Sequence, residues 1–292
     1  MKKRILPIAL LVCLLSFSTL FASCRILSQK LIRADYETYA YPAEGEFTKI
    51  EIDTRVTDVT FALAEDGATR VVCEEPEELH HTVKVEDETL KIALEGTKSW
   101  SFYTKDMTMV VYLPATEYDS LRVENSTGNI SIPAGFSFED LAIEVSTGSV
   151  EIVGASAKKM NLISSTGKIS LAKVTCEGTI SISVSTGKAL LNDVTCKNLN
   201  STGSTGNLEL CDVVASESFS LKRSTGNIHF ERCDAEAITV ETSTGKVVGT
   251  LRSDKIFIAK SSTGSINVPE TISGGVCKIT TSTGRIEIEI EE

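Results

Sequence analysis

Leu121-Arg-Val-Glu-Asn-Ser-Thr-Gly-Asn-Ile130 decides the fold, because the pattern recurs to the end of the chain. Ser-Thr-Gly returns with its glycine at Gly128, Gly148, Gly167, Gly187, Gly206, Gly226, Gly245, Gly264 and Gly284, in steps of 19 or 20 residues. One further copy, Ser201-Thr202-Gly203, stands directly before Ser204-Thr205-Gly206. Gly206 keeps the register; Gly203 breaks it.

The flanks of each glycine alternate. Leu121, Leu141, Met160, Ile180, Leu199, Phe219, Ile238, Phe257 and Cys277 stand seven places before it. Five places before it, eight of the nine positions hold Val, Ile, Leu or Ala, from Val123 to Ile279, with Ser201 as the exception. Two places after it stand Ile, Val, Leu or Ala, and the residue immediately after it is always polar. Period two on both sides predicts two short strands per repeat, each with one buried face. The parity slips by one across the glycine, which predicts a corner with φ > 0. Abundant β-branched residues and the lack of a 3.6-residue period argue against helices.

One repeat cannot bury its own apolar face, whereas stacked repeats share a continuous core. The sequence therefore predicts an all-β, single-chain β-solenoid with Ser-Thr-Gly corners, about 4.8 Å per coil. Thr before each glycine shares the parity of the inward positions. This predicts a Thr column inside or at the edge of the corner, its hydroxyls bonded along the stack, with Ser facing out. Cys176 and Cys196 both lie nine places after their glycines. They are expected on adjacent coils, within disulfide reach.

Residues 46–120 are less regular and read as a β cap with the first coils, ahead of regular repeats over 121–292. Lys49 to Leu63 resembles a diverged coil, with Thr54-Arg55-Val56 in the corner's place. Leu90–Leu94 and Met107–Leu113 read as a pair of strands, and the loop between them carries Trp100, Phe102 and Tyr103. Those aromatics are candidates for a binding tip or for apolar cover of the solenoid end. At the other end, Arg285 to Glu292 alternates strictly, which suits a charged edge strand.

The amino terminus reads as a targeting segment. Met1-Lys-Lys-Arg4 precedes an uncharged, Leu- and Ile-rich run from Ile5 to Ala22, the layout of an export signal or a hydrophobic anchor helix. Ala22-Ser23-Cys24 resembles a lipobox with Cys24 as the lipid anchor, although Phe21 occupies a place where Leu is usual. Residues 1–24 are thus a signal peptide or membrane anchor and 25–45 a tether. The rest is expected outside the cytoplasm, held to the membrane through the amino terminus.

Charge supports this division. The chain's net charge is −11, yet residues 1–34 carry six basic residues and no acid, so the remainder carries −17. So acidic a body argues against nucleic acid as a partner.

Catalytic constellations are harder to find. Outward columns read as Ser, Asn, Lys and scattered Glu, with no two aspartates on successive coils, which disfavours the acid–base chemistry of polysaccharide-active β-helices. The serines lack a nearby base: the histidines are His80, His81 and His229, and a repeated corner residue explains Ser better than a nucleophile does. Glu74, Glu75, Glu77 and Glu78 before His80-His81 read as a solvated acidic loop without metal-ligand spacing. No catalytic residue, metal ligand or cofactor site is assigned from the sequence.

Met107-Thr-Met-Val-Val-Tyr-Leu-Pro114, leading into the repeat at Leu121–Ile130 and its serial copies, resembles the bacterial putative-adhesin family of glycine-containing β-strand repeat proteins, over about residues 46–292. The resemblance implies a β-solenoid in an exported or membrane-tethered envelope protein and supplies no set of functional residues. The expected function is a non-enzymatic cell-envelope scaffold that binds a protein or glycan at the surface. The alternatives are a regulatory envelope-stress module bound to another membrane protein and a polysaccharide-active β-helix enzyme.

Overall fold

The computed structural model describes residues 35–96 and 106–291. The expected amino-terminal helix, Cys24, Trp100, Phe102 and Tyr103 lie outside the described residues.

The described body, from Tyr36 onward, is all β. Its strands are β1 (Tyr36–Pro42), β2 (Lys49–Leu63), β3 (Arg70–Pro76), β4 (Leu79–Glu86), β5 (Thr89–Gly96), β6 (Met107–Leu113), β7 (Glu117–Thr127), β8 (Ile130–Ile132), β9 (Ser137–Thr147) and β10 (Val150–Val153). They continue as β11 (Ser156–Cys176), β12 (Thr179–Thr205), β13 (Leu208–Thr225), β14 (Ile228–Thr244), β15 (Val247–Leu251), β16 (Lys255–Thr263), β17 (Ile266–Asn267), β18 (Gly275–Thr283) and β19 (Ile286–Ile290). Tyr36–Pro42, expected in the tether, is a strand that pairs with β3.

The repeats stack in parallel and in register, as the spacing predicts. Met160 pairs with Ile180, Gly167 with Gly187 and Ile169 with Ala189. Leu121, Val123, Ile130 and Ile132 are fully buried, as are most of their equivalents, whereas in the Gly264 coil Phe257 and Ala259 are half-buried and Ile266 is exposed. One largely aliphatic core thus runs through the stack, with the Gly264 coil packed against its end. At about 25 cal/mol per Å², burying this apolar face is the main force holding the coils together.

Glycine at the corners answers a steric demand. Gly187 has φ +141°, and a Cβ there would stand 1.7 Å from the carbonyl oxygen of Gly167. Each corner passes so close to the one below that a side chain cannot fit between them.

The Thr column stands at the outer edge of the corner, not inside it. Ser and Thr of all nine triplets are exposed. The chain is already turning at the Thr, so the last inward position is the residue before Ser: Asn125, Val145, Ser164 and Val184 are buried there. A second corner lies six places after the glycine. It is built by Gly154 (φ 63°), Lys173 (φ 54°), Asp193 (φ 56°), Asp212 (φ 53°) and Arg232 (φ 51°).

Both ends depart from sequence order. β2 lies between β5/β6 on one side and β7/β8 on the other, so the first coil in sequence is inserted beneath a later one. At the far end β18/β19 sits between β14/β15 and β16/β17, so the Gly284 coil is inserted between those of Gly245 and Gly264. Leu90–Leu94 and Met107–Leu113 therefore do not pair with one another; each pairs with its own half of β2. The expected edge strand is covered at its start, since Ile286 and Glu287 are paired on both sides, while Ile288 to Ile290 pair with β15 alone.

An antiparallel cap ends the amino-terminal side. β3 pairs with β6 and β4 with β5, both antiparallel, and β1 extends β3. No helix of the described residues is long and apolar enough to cross a membrane.

Candidate functional site

The corner glycines place two kinds of group on the surface. The nine exposed Ser-Thr pairs form a polar ridge, roughly 38 Å long at the usual strand spacing. Beside it, the asparagines that follow Gly128, Gly206 and Gly226 tie neighbouring coils together. Asn129 Oδ1 accepts from the Ser149 amide at 3.0 Å, Asn207 Oδ1 from the Asn227 amide at 3.0 Å, and Asn227 Oδ1 from the Lys246 amide at 2.9 Å. Their side-chain oxygens satisfy amides in the turning backbone.

The second corner carries charge. Asp193 and Asp212 do stand on successive coils, contrary to the reading of the outward columns, because their neighbours Val194 and Val213 pair in register. They do not form a free carboxylate pair. Asp212 accepts from Arg232 at 2.5 Å and from Arg252 at 2.8 Å. The Arg232 hydrogen bond outweighs desolvation and, with Arg252, holds Asp212 well below the usual carboxylate range. A permanently ionised, arginine-clamped carboxylate is a poor general acid or base. The adjacent Cys211 thiol is pushed up by desolvation and by its acidic neighbours, which removes it as a ready nucleophile.

A third group lies inside the cap. Glu75 and His81, read from the sequence as part of a solvated loop, are fully buried. Alternation along β3 turns Cys73 and Glu75 to the same interior face, and the corner at residues 77–78 brings His81 of β4 against them. His81 Nδ1 lies 2.5 Å from Glu75 Oε2, and the His81 amide donates to the same oxygen at 3.1 Å. Tyr41 Oη donates to Glu75 Oε1 at 2.5 Å. His81 Nε2 lies 3.1 Å from Thr54 Oγ1 and 3.5 Å from Thr57 Oγ1. Burial alone would raise the Glu75 pKa; the bonds from His81 and Tyr41 outweigh it and keep the carboxyl below its ordinary value.

Carboxylate, imidazole and hydroxyl in series have the connectivity of a nucleophilic triad. Thr54 is 2 % exposed and Thr57 is 0 % exposed, so no substrate reaches either hydroxyl. The chain's grouping of Cys73, Glu75 and His81 escapes sequence reading because Glu74, Glu77 and Glu78 around it mask the strand alternation.

Of the residues singled out in the sequence, the nine corner glycines stack as expected. Cys176 and Cys196 are buried next to one another and are free thiols.

No curated protein matches the chain. Solved structures share its fold at low identity. A putative adhesin from Parabacteroides merdae has a TM-score of 0.58 at 13% identity, covering 88% of this chain and 98% of its own. A protein from Parabacteroides distasonis described as a putative lipid binding protein has a TM-score of 0.58 at 17% identity, covering 89% and 100%. A putative adhesin from Bacteroides fragilis has a TM-score of 0.52 at 16% identity, covering 87% and 97%. The Toastrack DUF4097 family model matches residues 47–244, from the first coil to the threonine before Gly245, and the chain belongs to that family.

Proposed function

We propose that the chain is an exported, membrane-tethered, non-enzymatic scaffold of the cell envelope that binds a surface ligand, protein or glycan, along its corner ridge. The observation that carries this reading is the exposure of all nine Ser-Thr pairs in one in-register column. Hydroxyls repeated at about 4.8 Å suit a ligand with its own repeating hydrogen-bond groups. Lys168, Lys188, Lys246 and Arg285 flank the ridge and add cationic points for acidic groups. A stack of coils in register holds these groups rigid, so little ordering entropy opposes binding. Of the two titratable clusters described above, the Glu75–His81 group is sealed from solvent and Asp212 is clamped by arginine, so neither supports catalysis. The cationic, apolar amino terminus supports export and attachment.

The test is binding of the exported chain to cell-wall glycans and to intact cells, compared with a ridge variant carrying Ser165→Asp, Ser185→Asp and Ser204→Asp. These serines are exposed, so folding, checked by circular dichroism, is expected to persist, and binding is expected to fall at least tenfold. Unchanged binding moves the contact away from the ridge. A single stoichiometric membrane partner in pull-downs points instead to the regulatory reading. Turnover of a polysaccharide, abolished by a point substitution, ends the non-enzymatic reading.

A further inference from the structure

We propose that Cys73, Glu75 and His81 form a site for one divalent transition-metal ion, with zinc as the fitting occupant. One thiol, one carboxylate and one imidazole converge there from two strands, all buried, with their ligand atoms within 4.8 Å of one another. Among the described residues this is the one such cluster of three. Tetrahedral bonds of about 2.0–2.3 Å set ligand atoms roughly 3.3–3.7 Å apart, so an ion entering the site opens the His81–Glu75 pair, which stands at 2.5 Å, while the Cys73 sulfur closes on it from within 4.8 Å. A mixed sulfur, nitrogen and oxygen set suits zinc rather than magnesium or calcium, which prefer oxygen alone.

The surroundings are those of an oriented metal ligand. His81 meets the cluster through Nδ1, while Nε2 is held by Thr54 at 3.1 Å. That second bond fixes the ring, as outer partners of metal-bound histidines do. Tyr41 Oη holds the far oxygen of Glu75 at 2.5 Å. Binding releases the Cys73 thiol proton and the proton between His81 Nδ1 and Glu75 to solvent. Thiolate and carboxylate then balance the 2+ ion, leaving a neutral group in an apolar interior.

The location gives the ion a task. β3 and β4 form the antiparallel layer that closes the solenoid, and Thr54 and Thr57 belong to the first coil. An ion bound to Cys73, Glu75 and His81 joins both strands of that layer, and through His81 fastens them to the coil below.

The experiment uses the full chain in detergent, with thiols reduced and prior metal removed by chelator, titrated with cobalt(II). The expected result is a thiolate-to-cobalt absorption band in the near ultraviolet, saturating at one equivalent and bleached by zinc. Cys73→Ser is expected to lose the band, and Cys211→Ser to keep it. A folded wild type without the band overturns the site, as does a band that survives Cys73→Ser. Should Cys73→Ser fail to fold, amide exchange of the wild type decides. Zinc is expected to slow exchange in residues 70–86; slowing elsewhere, or none, overturns the proposal. Neither readout depends on ligand binding by the ridge.

Discussion

Arg223 lies over Gly203 on the neighbouring coil, and the pair explains the one break in the repeat. The two residues are register partners. A Cβ on Gly203 would stand 3.1 Å from both Cδ and Cζ of Arg223. In other coils this inward place holds a side chain such as Val145 or Val184. Gly203 vacates it, and the Arg223 guanidinium fills the space, donating to Ser201 Oγ at 2.9 Å and to the Lys222 carbonyl at 2.8 Å. The doubled Ser-Thr-Gly is thus a cradle for an arginine, not a second corner.

Arg223 is 3 % exposed, and burial lowers its pKa to about 10. No carboxylate is among its hydrogen-bond acceptors, so the desolvation cost is only partly offset. Arg223→Met, which refills the volume without charge, is expected to leave stability unchanged or raise it. Arg223→Ala leaves a cavity and is expected to cost about 2–4 kcal/mol. Denaturant midpoints of the two variants check this, and a costly Arg223→Met would show that the charge itself is needed.

The corner glycines make a sharper steric prediction. Gly187→Ala places a methyl 1.7 Å from the Gly167 carbonyl oxygen, and only separation of two coils relieves it. The expected cost is above roughly 4 kcal/mol, in the range that marks a specific structural failure. Gly67 serves as control: it also has positive φ (+72°), yet a Cβ there meets nothing within 4 Å. Gly67→Ala is expected to cost only about 1–2 kcal/mol, the price of the left-handed backbone. Thermal melts that fail to separate the two variants would remove the close-contact argument.

Legibility in the sequence followed repetition. Gly128 to Gly284 repeat, so the corners, strand register and aliphatic core could be read directly. The inward place before Ser holds Asn125, Val145, Ser164, Val184, Gly203 and Arg223 in turn. So mixed a column carries no hydrophobic signal, and parity alone assigned its role to the Thr. The second corner was hidden because Lys173 and Arg232 take the left-handed conformation usually given to glycine. The Cys73–Glu75–His81 group was hidden by charge. Acidic neighbours suggest solvent, while burial is decided by alternation along β3 and by the layer packed over it.

Thiol chemistry follows from burial. Cys196 is buried, and desolvation raises its pKa to about 12; desolvation also raises that of Cys176. Thiolate is the attacking species in disulfide formation, so these two thiols are expected to resist oxidation once the coils have closed. A Cys176–Cys196 bond, which the stacking brings within reach, forms during folding in an oxidising compartment or not at all. Alkylation of the folded chain is expected to label the partly exposed Cys211 first. Mass analysis of the exported chain, alkylated after unfolding without reductant, decides the bond: two labelled thiols remove it.

The same groups predict weakness in alkali. Desolvation raises Cys277 and Tyr118 to about 12 and Cys233 to about 11. In each case the folded pKa lies above the unfolded one. Their contribution is therefore intact below the unfolded values and is lost as pH rises towards the folded ones. Stability of the reduced chain should fall between about pH 9 and 12, with a slope near 1.4 kcal/mol per pH unit for each group titrating. Urea midpoints measured across that window check it, and Cys233→Ala should flatten the slope. A flat profile in the wild type would show that the buried thiols and phenol ionise as readily when folded as when unfolded.

Insertion of the last coil can be tested by crosslinking. Thr283 pairs with Thr244 on one side and with Thr263 on the other, and all three are exposed. Adjacent coils stand about 4.8 Å apart, which a disulfide spans; alternate coils stand about twice as far apart, which it does not. The double variant Thr244→Cys with Thr283→Cys should therefore oxidise to an intramolecular bond. Thr244→Cys with Thr263→Cys should not, although those residues are closer in sequence. The opposite outcome would mean that the repeats stack in sequence order. Insertion also changes what truncation removes. Ending the chain before Gly275 strips a coil from the interior of the stack and leaves the Gly264 coil without its neighbour. Such a truncation should lose more stability than one ending after Leu251, which removes both coils and leaves β14/β15 as a simple end.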